Sequence, residues 1–116
     1  MEKVGVVPES QFFDIYDFIS YLKAAEKYKR EHEFWNETND IVNRVLAGAP
    51  HDASEFRIAV VFLAVSACNA HFAGEIGSFK SYKRALSKII FAPTRLINYY
   101  LAHYNEIMTQ FEDNAA

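Results

Sequence analysis

The sequence predicts an all-α protein, a compact bundle of about five helices around a central hydrophobic helix. Hydrophobic residues make up 51% of the 116 residues, which is enough to fill the core of one domain. Only four glycines and three prolines interrupt the chain, so the segments between them are long. Within these segments apolar residues recur at helical spacing. No linker or repeat divides the chain, and we expect residues 1–116 to form a single helical domain.

The first predicted helix covers residues 10–32. Ser10 is a suitable N-cap, because a serine hydroxyl can accept a hydrogen bond from a free N–H at a helix start. One apolar face follows at helical spacing: Phe12, Ile15, Tyr16, Ile19 and Leu22. Residues 26–33 are almost entirely charged. We expect this tail to project into water.

The second predicted helix covers residues 36–47. Its apolar stripe consists of Ile41, Val42, Val45 and Leu46. Gly48 supplies the left-handed backbone position that often ends a helix, and Pro50 blocks continuation.

The third predicted helix covers residues 53–73 and is the central one. Asp52 followed three residues later by Glu55 is typical of a capping box. From Ile58 onwards the segment is apolar on all sides, which indicates a helix buried in the middle of a bundle. A buried strand is the alternative, because residues 58–65 are rich in β-branched side chains. We favour a helix, since about twenty residues pass without a turn signal, which is long for a strand.

The last two predicted helices cover residues 79–91 and 94–111. Ser78 is the expected cap of the fourth helix. Pro93 lacks an amide hydrogen, so the helix must kink or stop there. Apolar residues at alternating spacings of three and four then continue from Ile97 to Phe111. The pattern leaves open whether residues 79–111 form one kinked helix or two.

The charges are unevenly distributed along the chain. Twelve basic and fifteen acidic residues give a net charge of −3, which suits a soluble protein. No acidic residue lies between Glu75 and Glu106, so one part of the fold should be electropositive. No signal-type apolar run is present near the start. The longest apolar stretch, 58–72, is short for a membrane span and contains polar residues. We therefore expect a cytoplasmic protein with no membrane contact.

The sequence lacks the motifs that would support common catalytic functions. There is no glycine-rich phosphate loop, no GxSxG, no HExxH and no CxxC. We therefore expect no enzyme activity and no cofactor. One weaker hypothesis is a metal site on a single helix face formed by Cys68, His71 and Glu75, because these residues lie about one turn apart.

The leading functional hypothesis is a non-catalytic protein that binds a protein partner, of the inhibitor, immunity or adaptor type. Aromatic residues make up 16% of the chain, and adjacent helix positions diverge by about 100°. At least one residue of each adjacent aromatic pair should therefore face outwards, where aromatics favour protein binding. The expected contact residues are Phe34, Trp35, Tyr99 and Tyr100. The expected steering residues are Lys80, Lys83, Arg84 and Lys88. The aromatic excess would also suit a homodimer.

The alternative hypothesis is a nucleic-acid-binding helical domain. Lys80, Arg84 and Lys88 lie at i, i+4 and i+8, with Lys83 alongside, and such a row can neutralise phosphates. Nearby aromatics could stack on bases.

Overall fold

The described part of the chain is entirely helical. The computed structural model describes residues 14–115, which form six α-helices and no strand. The predicted all-α bundle is confirmed, with six helices rather than about five. The helices are α1 (Ile15–Lys27), α2 (His32–Leu46), α3 (Ala53–Phe72), α4 (Ile76–Ser87), α5 (Pro93–Ala102) and α6 (Tyr104–Ala115).

The central helix α3 is the predicted one and packs against α1, α2, α4 and α5. Its start is a complete capping box: the Glu55 amide donates to the Asp52 carboxylate at 2.8 Å, and the Asp52 amide donates to the Glu55 carboxylate at 3.2 Å. The strand alternative for residues 58–65 is wrong. By length and composition α3 could also cross a membrane, but more than half of its apolar window is buried inside the bundle.

The first two helices meet at a turn that lies earlier in the chain than the predicted gap at residues 33–35. The helix α1 ends at Lys27 and α2 begins at His32, so the predicted charged tail holds the connection between them. The rings of Tyr28 and Phe34 stack across this turn with centroids 4.7 Å apart. The Asp14 carboxylate caps α1 by accepting from the Tyr16 amide at 2.8 Å. The predicted cap Ser10 and the apolar Phe12 lie outside the described residues.

The second half of the chain holds three helices where two were predicted. The helix α4 begins at Ile76, three residues before the predicted start, and Glu75 rather than Ser78 occupies the N-cap. It ends at Ser87, and Pro93 is the first residue of α5, so residues 79–111 form neither one kinked helix nor two helices but parts of three. The predicted last helix is interrupted at His103, whose ring nitrogen Nδ1 donates to the Tyr99 carbonyl at 2.8 Å.

The core joins α3 to the other helices and brings α1 against α5 and α6. Phe18 of α1 packs edge-on against Tyr100 at 5.1 Å and against Tyr104 at 6.4 Å between ring centroids. The largest fully buried side chains are Tyr100, Phe18, Phe56, Leu86, Leu96, Ile97 and Ile107. Because α1 packs against α5 and α6, a space remains between α1, α2 and the start of α3.

Candidate functional site

Two of the predicted contact residues, Phe34 and Trp35, lie in the first turn of α2. Both are half-buried, and their rings meet edge to face with centroids 5.0 Å apart. The turn that begins α2 at His32 positions them, because it directs the first turn of the helix towards α1. The stacking of Phe34 on Tyr28 holds the turn in place.

Phe34 and Trp35 line a groove between α1, α2 and α3 that is open to solvent and has a volume of about 320 Å³. We call it the three-helix groove. Its lining residues are Asp17, Ser20, Tyr21, Ala24, Ala25, Phe34, Trp35, Thr38, Ser54, Arg57, Ile58 and Val61. The wall is therefore mainly apolar, and α3 contributes Ile58, which is 40% exposed.

One part of the groove carries a bidentate ion pair. Arg57 donates from Nη2 to Oδ2 of Asp17 at 2.7 Å and from Nε to Oδ1 at 3.2 Å. The Thr38 hydroxyl donates to the Phe34 carbonyl at 2.9 Å. Burial, with a smaller effect from Tyr82, raises the pKa of Tyr21, so its hydroxyl stays neutral at pH 7. The groove thus combines an apolar surface with an ion pair and a threonine hydroxyl that already have partners.

Tyr100 is wrong as a contact residue. Its side chain is 0% exposed and packs against Phe18. Its hydroxyl has no hydrogen-bond partner among the described residues, and burial raises its pKa strongly. The neighbouring Tyr99 is half-buried, and its ring lies 4.4 Å from that of His103. At least one residue of this pair was expected to face outwards, but Tyr100 is buried and Tyr99 is only partly exposed, because α5 packs on α3 and against Phe18 of α1.

The four predicted steering residues lie on a different element from the groove. Lys80, Lys83 and Arg84 are in α4, and Lys88 is its C-cap. We call these four residues the basic row; none of them lines the three-helix groove. Lys80, Arg84 and Lys88 are exposed, and Lys83 is half-buried. Their role in steering stays a prediction.

Several groove residues had no signal in the sequence. Asp17 and Arg57 are 40 positions apart and share no motif. Ile58 appeared to belong to a helix buried on all sides. A groove wall assembled from three helices leaves no local pattern by which these residues could be recognised.

The residues of the weaker metal hypothesis have different environments. Cys68 is buried, its Sγ lies 3.9 Å from the Ile97 carbonyl oxygen, and burial raises its pKa to about 12. His71 is exposed, with its ring 5.9 Å from that of Phe79. Glu75 is the exposed N-cap of α4. A buried, protonated thiol is a poor metal ligand, and residues 14–115 contain no cluster of three candidate ligands.

No family model, curated protein or solved structure matches this chain.

Proposed function

We propose that this protein is a non-catalytic binding protein whose three-helix groove receives apolar side chains of a protein partner. The observation that supports this most is the groove itself, which is lined by Phe34 and Trp35 and open to solvent. Tryptophan in a preformed apolar recess is typical of residues that dominate protein–protein binding energies. This protein would bind its partner in the way that inhibitor, immunity or adaptor proteins bind their targets.

The size and chemistry of the groove favour protein side chains over a small-molecule substrate. Its volume of about 320 Å³ is at the lower end for ligand pockets, which span roughly 300–1,000 Å³ and enclose most of the ligand. Asp17 and Arg57 are paired with each other, which makes either a poor acid, base or anion clamp. Thr38 also has a hydrogen-bond partner. The apolar walls, with Ile58 at the rim, suit one or two large side chains of a partner.

The test begins by capturing the partner through the groove. A photoreactive amino acid replaces Ile58 in cells of the native host, and a second strain carries it at Phe91, which is exposed but does not line the groove. We expect a protein that is cross-linked from position 58 and not from position 91. Cross-linking to the same proteins from both positions would contradict the proposal.

The captured partner is then titrated against purified variants. Trp35 is the single tryptophan and lines the groove, so its fluorescence should report occupancy directly. We expect Phe34→Ala to weaken binding by about 30-fold, the effect of a typical hot spot. Ile58→Ser, at a partly exposed position that leaves the fold intact, should also weaken binding, whereas Phe91→Ala should not. Equal affinities for all variants would refute a role for the groove.

A further inference from the structure

The corner where α3 meets α4 exposes two large apolar side chains. Phe72 ends α3 and is 53% exposed, and Ile76 begins α4 and is 68% exposed. Three residues, 73–75, connect them. The Phe72 ring packs on the ring of Tyr104, with centroids 4.2 Å apart, and lies 5.5 Å from that of His71. We call Phe72 and Ile76 the apolar corner.

The apolar corner continues into the basic row. Ile76, Lys80 and Lys83 lie at i, i+4 and i+7 of the same helix and so share one face of α4. Arg84 follows Lys80 by one turn, and Lys88 follows Arg84. Leu86, three positions after Lys83, is buried in the core and marks the edge of this face. One solvent-facing surface therefore carries bulky apolar groups at one end and cations along its length.

The cations of the basic row have no anionic partner within residues 14–115. Elsewhere Lys29, Arg44 and Arg57 form ion pairs with carboxylates. Among the described residues, no ion pair or hydrogen bond is formed by the side chains of the basic row, although the backbone carbonyl of Arg84 accepts from the Ser87 hydroxyl at 2.6 Å. Glu75 is the only acidic residue in the sequence between Glu55 and Glu106. The surface is thus complementary to an extended negatively charged one.

We propose that the apolar corner and the basic row dock this protein onto the surface of a negatively charged lipid bilayer. Ile76 and Phe72 would enter the boundary between headgroups and acyl chains, where apolar side chains lose contact with water. The basic row would lie against anionic headgroups, which attract each nearby lysine or arginine. Such binding is peripheral and leaves α3 in the core.

A bilayer fits the surface better than the nucleic acid suggested by the basic row alone. Base stacking needs exposed aromatic faces beside the cations, but Phe79 and Tyr82 of α4 are half-buried against the core. Of the two exposed phenylalanines nearby, Phe72 packs on Tyr104, and Phe91 lies beyond the end of α4. Ile76, which is 68% exposed on the same face of α4 as Lys80, is aliphatic and cannot stack on a base. The inference departs from the expected lack of membrane contact, because periodicity alone did not reveal that Ile76 and Phe72 face solvent.

The experiment measures co-sedimentation of the full chain with vesicles of phosphatidylcholine, with and without 30% phosphatidylserine, in 0.1 M salt. We expect binding to the anionic vesicles only, and its loss in 1 M salt, where the screening length falls to about 3 Å. Lys80→Gln with Arg84→Gln should weaken binding about 25-fold, at about fivefold per charge. Lys23→Gln with Arg30→Gln removes the same charges from exposed positions outside the basic row and should leave binding unchanged.

A second pair of variants separates the apolar contribution from the groove. Ile76→Ser should weaken vesicle binding about fivefold, whereas Ile58→Ser, the same change in the groove, should not. Both positions are partly or largely exposed, so both variants should fold. Equal binding to neutral and anionic vesicles, an equal loss in the Lys23/Arg30 control, or no wild-type binding would overturn the proposal. A different outcome would favour nucleic acid. The protein would then bind duplex or single-stranded nucleic acid tightly and would not bind vesicles. This binding would be weakened by the changes at Lys80 and Arg84 but not by the change at Ile76, and it would overturn the proposal.

Discussion

Replacing Tyr100 by phenylalanine should stabilise the protein. The side chain is 0% exposed, and its hydroxyl has no hydrogen-bond partner among the described residues. A buried polar group without a partner costs about 1–3 kcal/mol, and the substitution removes that cost. The void left by one oxygen atom costs a few tenths of a kcal/mol at about 24 cal/mol per Å³. The edge contact with Phe18 at 5.1 Å between centroids is retained, because the ring stays in place.

The expected gain for Tyr100→Phe is therefore about 1–2 kcal/mol in the free energy of unfolding. Urea unfolding followed by circular dichroism measures it, and a gain of this size corresponds to roughly 4 °C in Tm per kcal/mol. Tyr16→Phe is the matched control, because Tyr16 is exposed and its change should stay within about 0.5 kcal/mol. A loss of more than about 1 kcal/mol in Tyr100→Phe would show that the hydroxyl is hydrogen-bonded, and would refute this reasoning.

Three further predictions concern the helix α3. Asp52→Ala removes its capping box and should cost about 1 kcal/mol in urea unfolding. The hydrogen bond from Arg44, with one from the Asp52 amide, lowers the pKa of Glu55. The ionised Glu55 therefore stabilises the fold fully above the ordinary glutamate pKa near 4.5, and this stabilisation is lost as the pH falls through the lower pKa of the folded state. Glu55→Gln should thus abolish that part of the acid sensitivity; an unchanged pH profile would contradict this. Burial raises the pKa of Cys68 to about 12, so iodoacetamide should modify it only after unfolding, and rapid modification of the native protein would argue against a sealed core.

Local signals predicted most helices but misplaced one interruption and missed another. Asp52, Gly48 and Pro93 act within one turn of the backbone, and each ends or begins a helix where expected. The turn between α1 and α2 contains no glycine or proline, so the sequence placed the break too late, at residues 33–35. The break at His103 lies within an unbroken apolar spacing, which looked like one helix.

The candidate site was predictable only in part. Phe34 and Trp35 were expected at a binding surface, and they line the three-helix groove. Helical geometry required the side chains of Tyr99 and Tyr100 to point in different directions. Only the packing of the helices determined that Tyr100 is the one buried in the core. The exposure of Ile76 was also invisible in the sequence, because α4 begins one turn earlier than its apolar pattern indicates.

The sequence by itself determined the helical class, the buried central helix and the separation of the basic row from acidic residues, because these depend on spacing and composition within a segment. Tertiary structure alone decided where the three-helix groove lies and which residues line it. A groove is the space that packed helices leave between them. Its walls join residues as distant as Asp17 and Arg57, whose proximity depends on how α1 and α3 cross.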